Sequence, residues 1–141
     1  MRDFEYYLGL KDVRKCSPDK QLAISLARDM DARINDATRL DASEFPKLVF
    51  ETFYDALRDF CDALLALEGY KSYSHEGSIS FLAKKGFDAA FISAFDSFRY
   101  KRNGSKYYGL KITPAEAEAI KKFCGENENK IDYSLKRAGL K

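Results

Sequence analysis

The sequence predicts an all-α fold, an up-and-down bundle of four main helices with room for a short additional helix at the N-terminal end. Three observations point there. Apolar residues recur at spacings of three and four over long stretches, helix-start signals precede those stretches, and no strand-like alternation of useful length occurs. The 141 residues are 45% hydrophobic and 33% charged, which suits one domain, residues 1–141, with its own core.

The first main helix follows "KCSPDK". Ser17 is a suitable N-cap, Pro18 fits the first helical position, and Asp19 complements the positive end of the helix dipole. Ala23, Leu26, Ala27, Met30, Ile34 and Ala37 share a face, so the helix is expected to end near Leu40. The second starts around "ASEFP", because Pro46 is tolerated only in a first turn. Phe45, Val49, Phe53, Leu57, Phe60, Leu64 and Leu67 form its stripe, and Gly69 stops it. A shorter piece spans Ser78 to Lys85. After a break at Gly86 the pattern resumes through Phe87, Phe91, Ala94, Phe95 and Phe98. The last helix has the strongest start: "TPAE", Thr113 to Glu116, combines a capping box with proline at the first position, and Ile112 with Ala117 makes a weak staple. Ala117, Ile120, Cys124, Ile131, Leu135 and Ala138 carry one face to near Gly139, with Gly125 weakening the middle by about 1 kcal/mol relative to alanine. Short connections favour antiparallel neighbours.

Composition narrows the function classes. A net charge of +2 is too small for a generally basic protein, so any affinity for nucleic acid must be local. Cys16, Cys61 and Cys124 are odd in number, scattered and without a CxxC, which reads as reduced thiols of a cytoplasmic protein. The N-terminal residues lack a signal-peptide core, and no run of about 18 apolar residues suggests a membrane span. Asp55, Asp59 and Asp62 lie near one helix side, but with Arg58 among them and no histidine partners they read as a solvated face, and no metal or cofactor is expected. Neither a phosphate-cradling GxxxxGK[ST] nor a GxSxG elbow is present. Lys84, Lys85, Lys121, Lys122, Lys136 and Arg137 would add phosphate contacts if they gathered on one surface; otherwise they solvate helix faces.

One stretch stands apart. "FRYKRNGSKYYG", Phe98 to Gly109, holds four aromatics, four cations and two glycines. Arg102 lies four residues after Phe98, which lies seven after Phe91, so an apolar stripe leads onto a guanidinium. A guanidinium at the end of a buried seam calls for an anionic partner. Asn103 and Gly104 both adopt left-handed conformations readily, so the helix is expected to stop there, with "SKYYG" turning back and bringing Tyr107 and Tyr108 close to Arg102. The alternative is that the tyrosines cover the bundle end while Arg102 bonds the last helical carbonyls. His75, in "SYSHEG", is the sole imidazole, and Ser74, Glu76 and Gly77 around it suggest an exposed loop or helix start.

Arg102 followed by Asn103 before the final part of a helical domain of this size resembles the HEPN family. That family's motif is an arginine, often followed directly by a polar residue, then four to six residues and a histidine. Here Tyr107 or Tyr108 occupies the histidine position. The resemblance implies a homodimer with Arg102 of both copies facing a shared cleft. It also implies either an RNA- or nucleotide-binding module, a metal-independent endoribonuclease of toxin–antitoxin type, or a protein-interaction partner of a nucleotidyltransferase.

Carried onto this chain, the resemblance makes Arg102, Tyr107 and Tyr108 the candidate catalytic residues and Arg99, Asn103 and Lys106 the candidate substrate-binding ones. Metal-independent cleavage must deprotonate a 2′-hydroxyl, stabilise the charged phosphorane and protonate the leaving oxygen. Arg102 suits the second task. Tyrosine, with a pKa of about 10, is a poor base at neutral pH, whereas stacking of its ring on a base is natural. Binding therefore leads the expectation, and cleavage by Arg102 with a tyrosine or a remote His75 is the alternative.

Overall fold

Twelve buried residues on one helix organise the chain: α3, Pro46–Glu68, presents Val49, Phe50, Phe53, Tyr54, Ala56, Leu57, Phe60, Cys61, Ala63, Leu64, Leu65 and Ala66 to the interior. A helix apolar on this many sides is stable only when neighbours surround it. In the computed structural model, which describes residues 1–141, they do.

The other elements are α1 (Phe4–Gly9), β1 (Val13–Lys15), α2 (Lys20–Thr38), β2 (Tyr70–Ser72), α4 (His75–Ser80), a 3-10 helix (Phe81–Lys85), α5 (Ala89–Tyr108), α6 (Pro114–Glu126) and α7 (Glu128–Arg137). The all-helical class is as expected. α2 packs along α3 most extensively, α6 lies on α3 as well, and β2, α4, the 3-10 helix and α5 complete the ring around it. No helix is long and apolar enough to cross a membrane.

Several starts and stops follow the sequence signals. Pro46 opens α3 and Gly69 closes it with φ +83°. Thr113 and Glu116 form the reciprocal capping box of α6, with Pro114 at its start.

Four details differ from expectation. The cap of α2 is Asp19, whose carboxylate accepts from Leu22 N–H at 3.0 Å, so Ser17 and Pro18 lie outside the helix. They are held there because Cys16 N–H donates to Gly69 C=O at 2.8 Å and Asp19 N–H to Ala66 C=O at 2.9 Å. A two-stranded antiparallel ladder, Val13 with Ser72, Arg14 with Lys71 and Lys15 with Tyr70, clips the same corner. It is too short to show alternation. The expected last helix is two, because Asn127 leaves helical geometry at φ −105°, ψ 7° while its side-chain amide donates to Phe123 C=O at 2.8 Å. Finally, α5 does not stop at Asn103 and Gly104. It runs to Tyr108 and ends at Gly109, φ +70°, because the carbonyl of Gly104 accepts from Leu110 N–H at 3.1 Å and the Leu110 side chain packs on Gly104.

Two glycines permit close approaches. A β-carbon on Gly69 would sit 2.7 Å from Cys16 O, and one on Gly77 would sit 2.7 Å from Val13 Cγ2. Gly77 thus lets β1 press against α4, the short helix that begins with His75.

Candidate functional site

Because α5 continues through Asn103, Arg99, Arg102, Asn103 and Lys106 fall at i, i+3, i+4 and i+7 and share one helix face. Opposite them stands the start of α4. Ser74 caps that helix by accepting from Gly77 N–H at 3.1 Å, and His75 follows as its first residue. Between the two elements lies a small open pocket of about 210 Å³ lined by Ser74, His75, Glu76, Arg99, Arg102, Asn103 and Tyr107.

Of the two readings that its sequence neighbours allow, an exposed loop or a helix start, the structure shows the second, with His75 as the first residue of α4. It is half-buried, and it shares the pocket with Arg102 within a single chain. Its ring lies nearly parallel to that of Tyr54 of α3, with centroids 5.8 Å apart and an interplanar angle of 15°. The Tyr54 hydroxyl lies 2.7 Å from His75 Nδ1. That hydroxyl is buried and makes no other hydrogen bond, so the arrangement that satisfies it is donation to Nδ1, which leaves the ring proton on Nε2.

The electrostatics favour the same neutral ring. Burial, with the charges of Arg58, Arg102, Arg99 and Lys106, pushes the His75 pKa down to about 4. Burial likewise raises that of Tyr54, against the pull of Arg58 and Arg102. The pocket therefore holds a neutral imidazole beside Arg99, Arg102 and the Glu76 carboxylate, with the neutral Tyr54 phenol behind the ring and the charges of Arg58 and Lys106 nearby.

These cations are not equally engaged. Arg99 bonds Asp96 at 2.6 Å and lies 3.5 Å from Glu76, which also accepts from Tyr7 Oη at 3.1 Å. Arg58 reaches Asp62 at 3.7 Å, yet its Nε is buried without a partner. The guanidinium of Arg102 lies 5.5 Å from the centre of the Tyr54 ring and enters no ion pair. A half-buried guanidinium held on an aromatic face without an ion-pair partner favours an anionic ligand.

The structure thus gathers Arg99, Arg102, Asn103 and Tyr107 as the sequence suggested. Tyr108 does not join them: it is 80% exposed and lies outside the pocket, since one further residue rotates its side chain about 100° around the helix. Lys106 stands at the rim, its ammonium 5.9 Å from the Tyr107 ring, where it acts on His75 through its charge. Tyr54 and Arg58 escaped the sequence reading, although Tyr54, Arg58 and Asp62 at i, i+4 and i+8 draw a polar line down an otherwise apolar helix. Asp62 is only partly solvated, and burial raises its pKa despite Arg58.

Comparison with known proteins adds little to this geometry. No protein-family model matches the chain, and no solved structure matches it. Part of the chain is similar to a Pescadillo homolog of Emericella nidulans, with 37% identity over 75 residues, 47% of this chain. The match spans 11% of that protein's length.

Proposed function

We propose that the chain is a HEPN-like homodimeric module that binds RNA or a nucleotide through a phosphate group. The observation that carries this reading is the convergence of Arg102, Arg99, Asn103 and His75 on one pocket in which Arg102 forms no ion pair, because Glu76 is engaged by Arg99 and Tyr7. A phosphate oxygen supplies a counter-charge and accepts from the guanidinium, the Asn103 amide and the Nε2–H of His75. Tyr107, 64% exposed at the pocket wall, offers its ring to an adjoining base.

Binding is favoured over cleavage by the state of the imidazole. With Nδ1 occupied by the Tyr54 hydroxyl, the ring presents a donor to the pocket, whereas a general base needs a free lone pair there. An arriving phosphate raises the pKa of the ring by offsetting the surrounding positive charge, while the Tyr54 hydroxyl on Nδ1 continues to favour the neutral form. The endoribonuclease alternative draws on one specific observation, the presence of His75 beside Arg102, since a protonated His75 is able to protonate a leaving oxygen. The dimer is supported by the exposed Tyr100, Tyr108 and Leu110 around the end of α5, a surface that a second copy would cover.

The test compares wild-type protein with Arg102→Ala, both metal-free, for binding and cleavage of labelled RNA in EDTA. Loss of one charge-assisted contact predicts roughly 10- to 100-fold weaker binding. Equal affinity in the two proteins overturns the assignment of Arg102. Cleavage abolished by the substitution moves the nuclease reading ahead. Absence of RNA binding, with dimer loss in the variant, moves the question to a protein partner such as a nucleotidyltransferase.

A further inference from the structure

A second concentration of positive charge lies where the 3-10 helix meets α7. Lys84 and Lys85 come from the last turn of the 3-10 helix, and Lys130, Tyr133 and Arg137 from α7. Together with Phe87 they line a groove of about 600 Å³ whose lining contains no carboxylate and shares no residue with the His75 pocket.

The charges of α7 are segregated to produce it. Lys130, Tyr133 and Arg137, at i, i+3 and i+7, share one helix face. Glu128 and Asp132 line a different cleft with Asp31, Lys121 and Lys141. Lys84 is paired with Glu5 and Lys85 with Glu68, so these two are largely neutralised. Lys130 and Arg137 enter no ion pair. The Lys130 ammonium lies 5.0 Å from the Phe87 ring centre and 5.7 Å from that of Phe91, and attraction to the ring faces helps to position it. Of the other cations considered for this surface, Lys122 pairs with Glu126 and Lys136 lies outside the groove.

We infer that this groove is a second phosphate-binding site and that its ligand is the backbone of a single-stranded nucleic acid. Two unpaired cations spaced by two helical turns match a repeating anion better than a single one. The ring of Tyr133 between them is 65% exposed, the disposition of a platform on which a base stacks while the cations hold its phosphates. Insertion into a lipid surface calls for apolar side chains projecting beside the cations, and here Leu64 and Phe87 are buried. This site goes beyond the His75 pocket and stands or falls separately from it.

The experiment measures fluorescence anisotropy of a labelled oligouridylate of about 12 nucleotides across a salt series. The proteins are wild type, Lys130→Gln/Arg137→Gln and Tyr133→Ser, each with a thermal melt to establish folding. The double variant is expected to bind roughly 10-fold more weakly, with its log affinity against log salt slope reduced by about 1.4, the value for two lost single-strand phosphate contacts. Tyr133→Ser is expected to lose about 5-fold or more with an unchanged slope. Orthophosphate, added alone, should shift the His75 ring resonances equally in wild type and the double variant. If orthophosphate leaves His75 unmoved while the double variant still loses oligonucleotide affinity, the groove is upheld and the pocket reading fails. Unchanged affinity and slope in both variants overturn the inference. So does binding of phosphatidylserine-containing vesicles that the double variant loses while oligonucleotide affinity stays the same.

Discussion

His75 concentrates the physical interest of single residues, because burial and four neighbouring cations hold its ring neutral. Its folded pKa, lowered from 6.5 to about 4, means that between those values the unfolded chain binds a proton that the folded chain refuses. Stability therefore rises with pH through that window, and acidification from above 6.5 to below 4 removes about 2 kcal/mol, allowing for the ring's partial exposure. Asp59 and Asp62, whose burial raises their pKa values, contribute with the opposite sign, so the measurement must be differential. His75→Gln should show a flatter acid limb than wild type in denaturant titrations across that window. Parallel limbs would mean that the imidazole is not desolvated. Because the sequence holds one histidine, NMR reads its titration without overlap. Tyr54→Phe, which keeps the ring and removes the hydroxyl, should move the midpoint up, since the neutral ring loses its donor, and cost about 1 kcal/mol. An unmoved midpoint would show that the 2.7 Å contact does not select the neutral form.

At the level of elements, α4 is short and depends on its neighbours, because a helix of six residues is unstable alone. Gly77 lets Val13 and Tyr7 close against it, with 2.7 Å and 3.3 Å left for a β-carbon. Gly77→Ala should therefore destabilise the protein by about 1–3 kcal/mol and weaken phosphate binding by displacing His75, as a denaturant melt and an orthophosphate titration would measure together. A variant of wild-type stability would show that the ladder yields without loss. The sequence made some of these elements legible and hid others for identifiable reasons. Pro46, Gly69 and the Thr113–Glu116 box were readable because their signals are local stereochemistry. The cap at Asp19 was not, since its choice over Ser17 is decided by hydrogen bonds to the end of α3, some fifty residues away. Asn103 and Gly104 suggested a stop because both tolerate left-handed backbone. A local closure further on extended the helix instead, with Gly109 taking the left-handed position and Leu110 folding back onto Gly104.

Across the whole molecule the site is assembled from three elements that sequence distance separates: Tyr54 on α3, His75 on α4 and Arg102 on α5. Local patterning found the basic aromatic stretch, and the i, i+3, i+4, i+7 spacing within it was available once the helix was allowed to continue. The meeting of His75 with Arg102 was not, because only packing around α3 brings them together. The same assembly gives a global prediction. An anion that bridges α4 and α5 on the Tyr54 surface binds only the folded chain, so mass action raises its stability by about 2.7 kcal/mol at a hundredfold excess over Kd. For a domain of this size that is an increase of roughly 8 °C in Tm. Orthophosphate should produce the increase in wild-type protein and not in Arg102→Ala, with sodium chloride at matched ionic strength as the reference for screening. Equal increases in both proteins would reduce the effect to general salt exclusion from the surface and remove the pocket as its cause. An increase confined to wild type would tie the stability of the α3-centred fold to occupation of the Arg102 pocket.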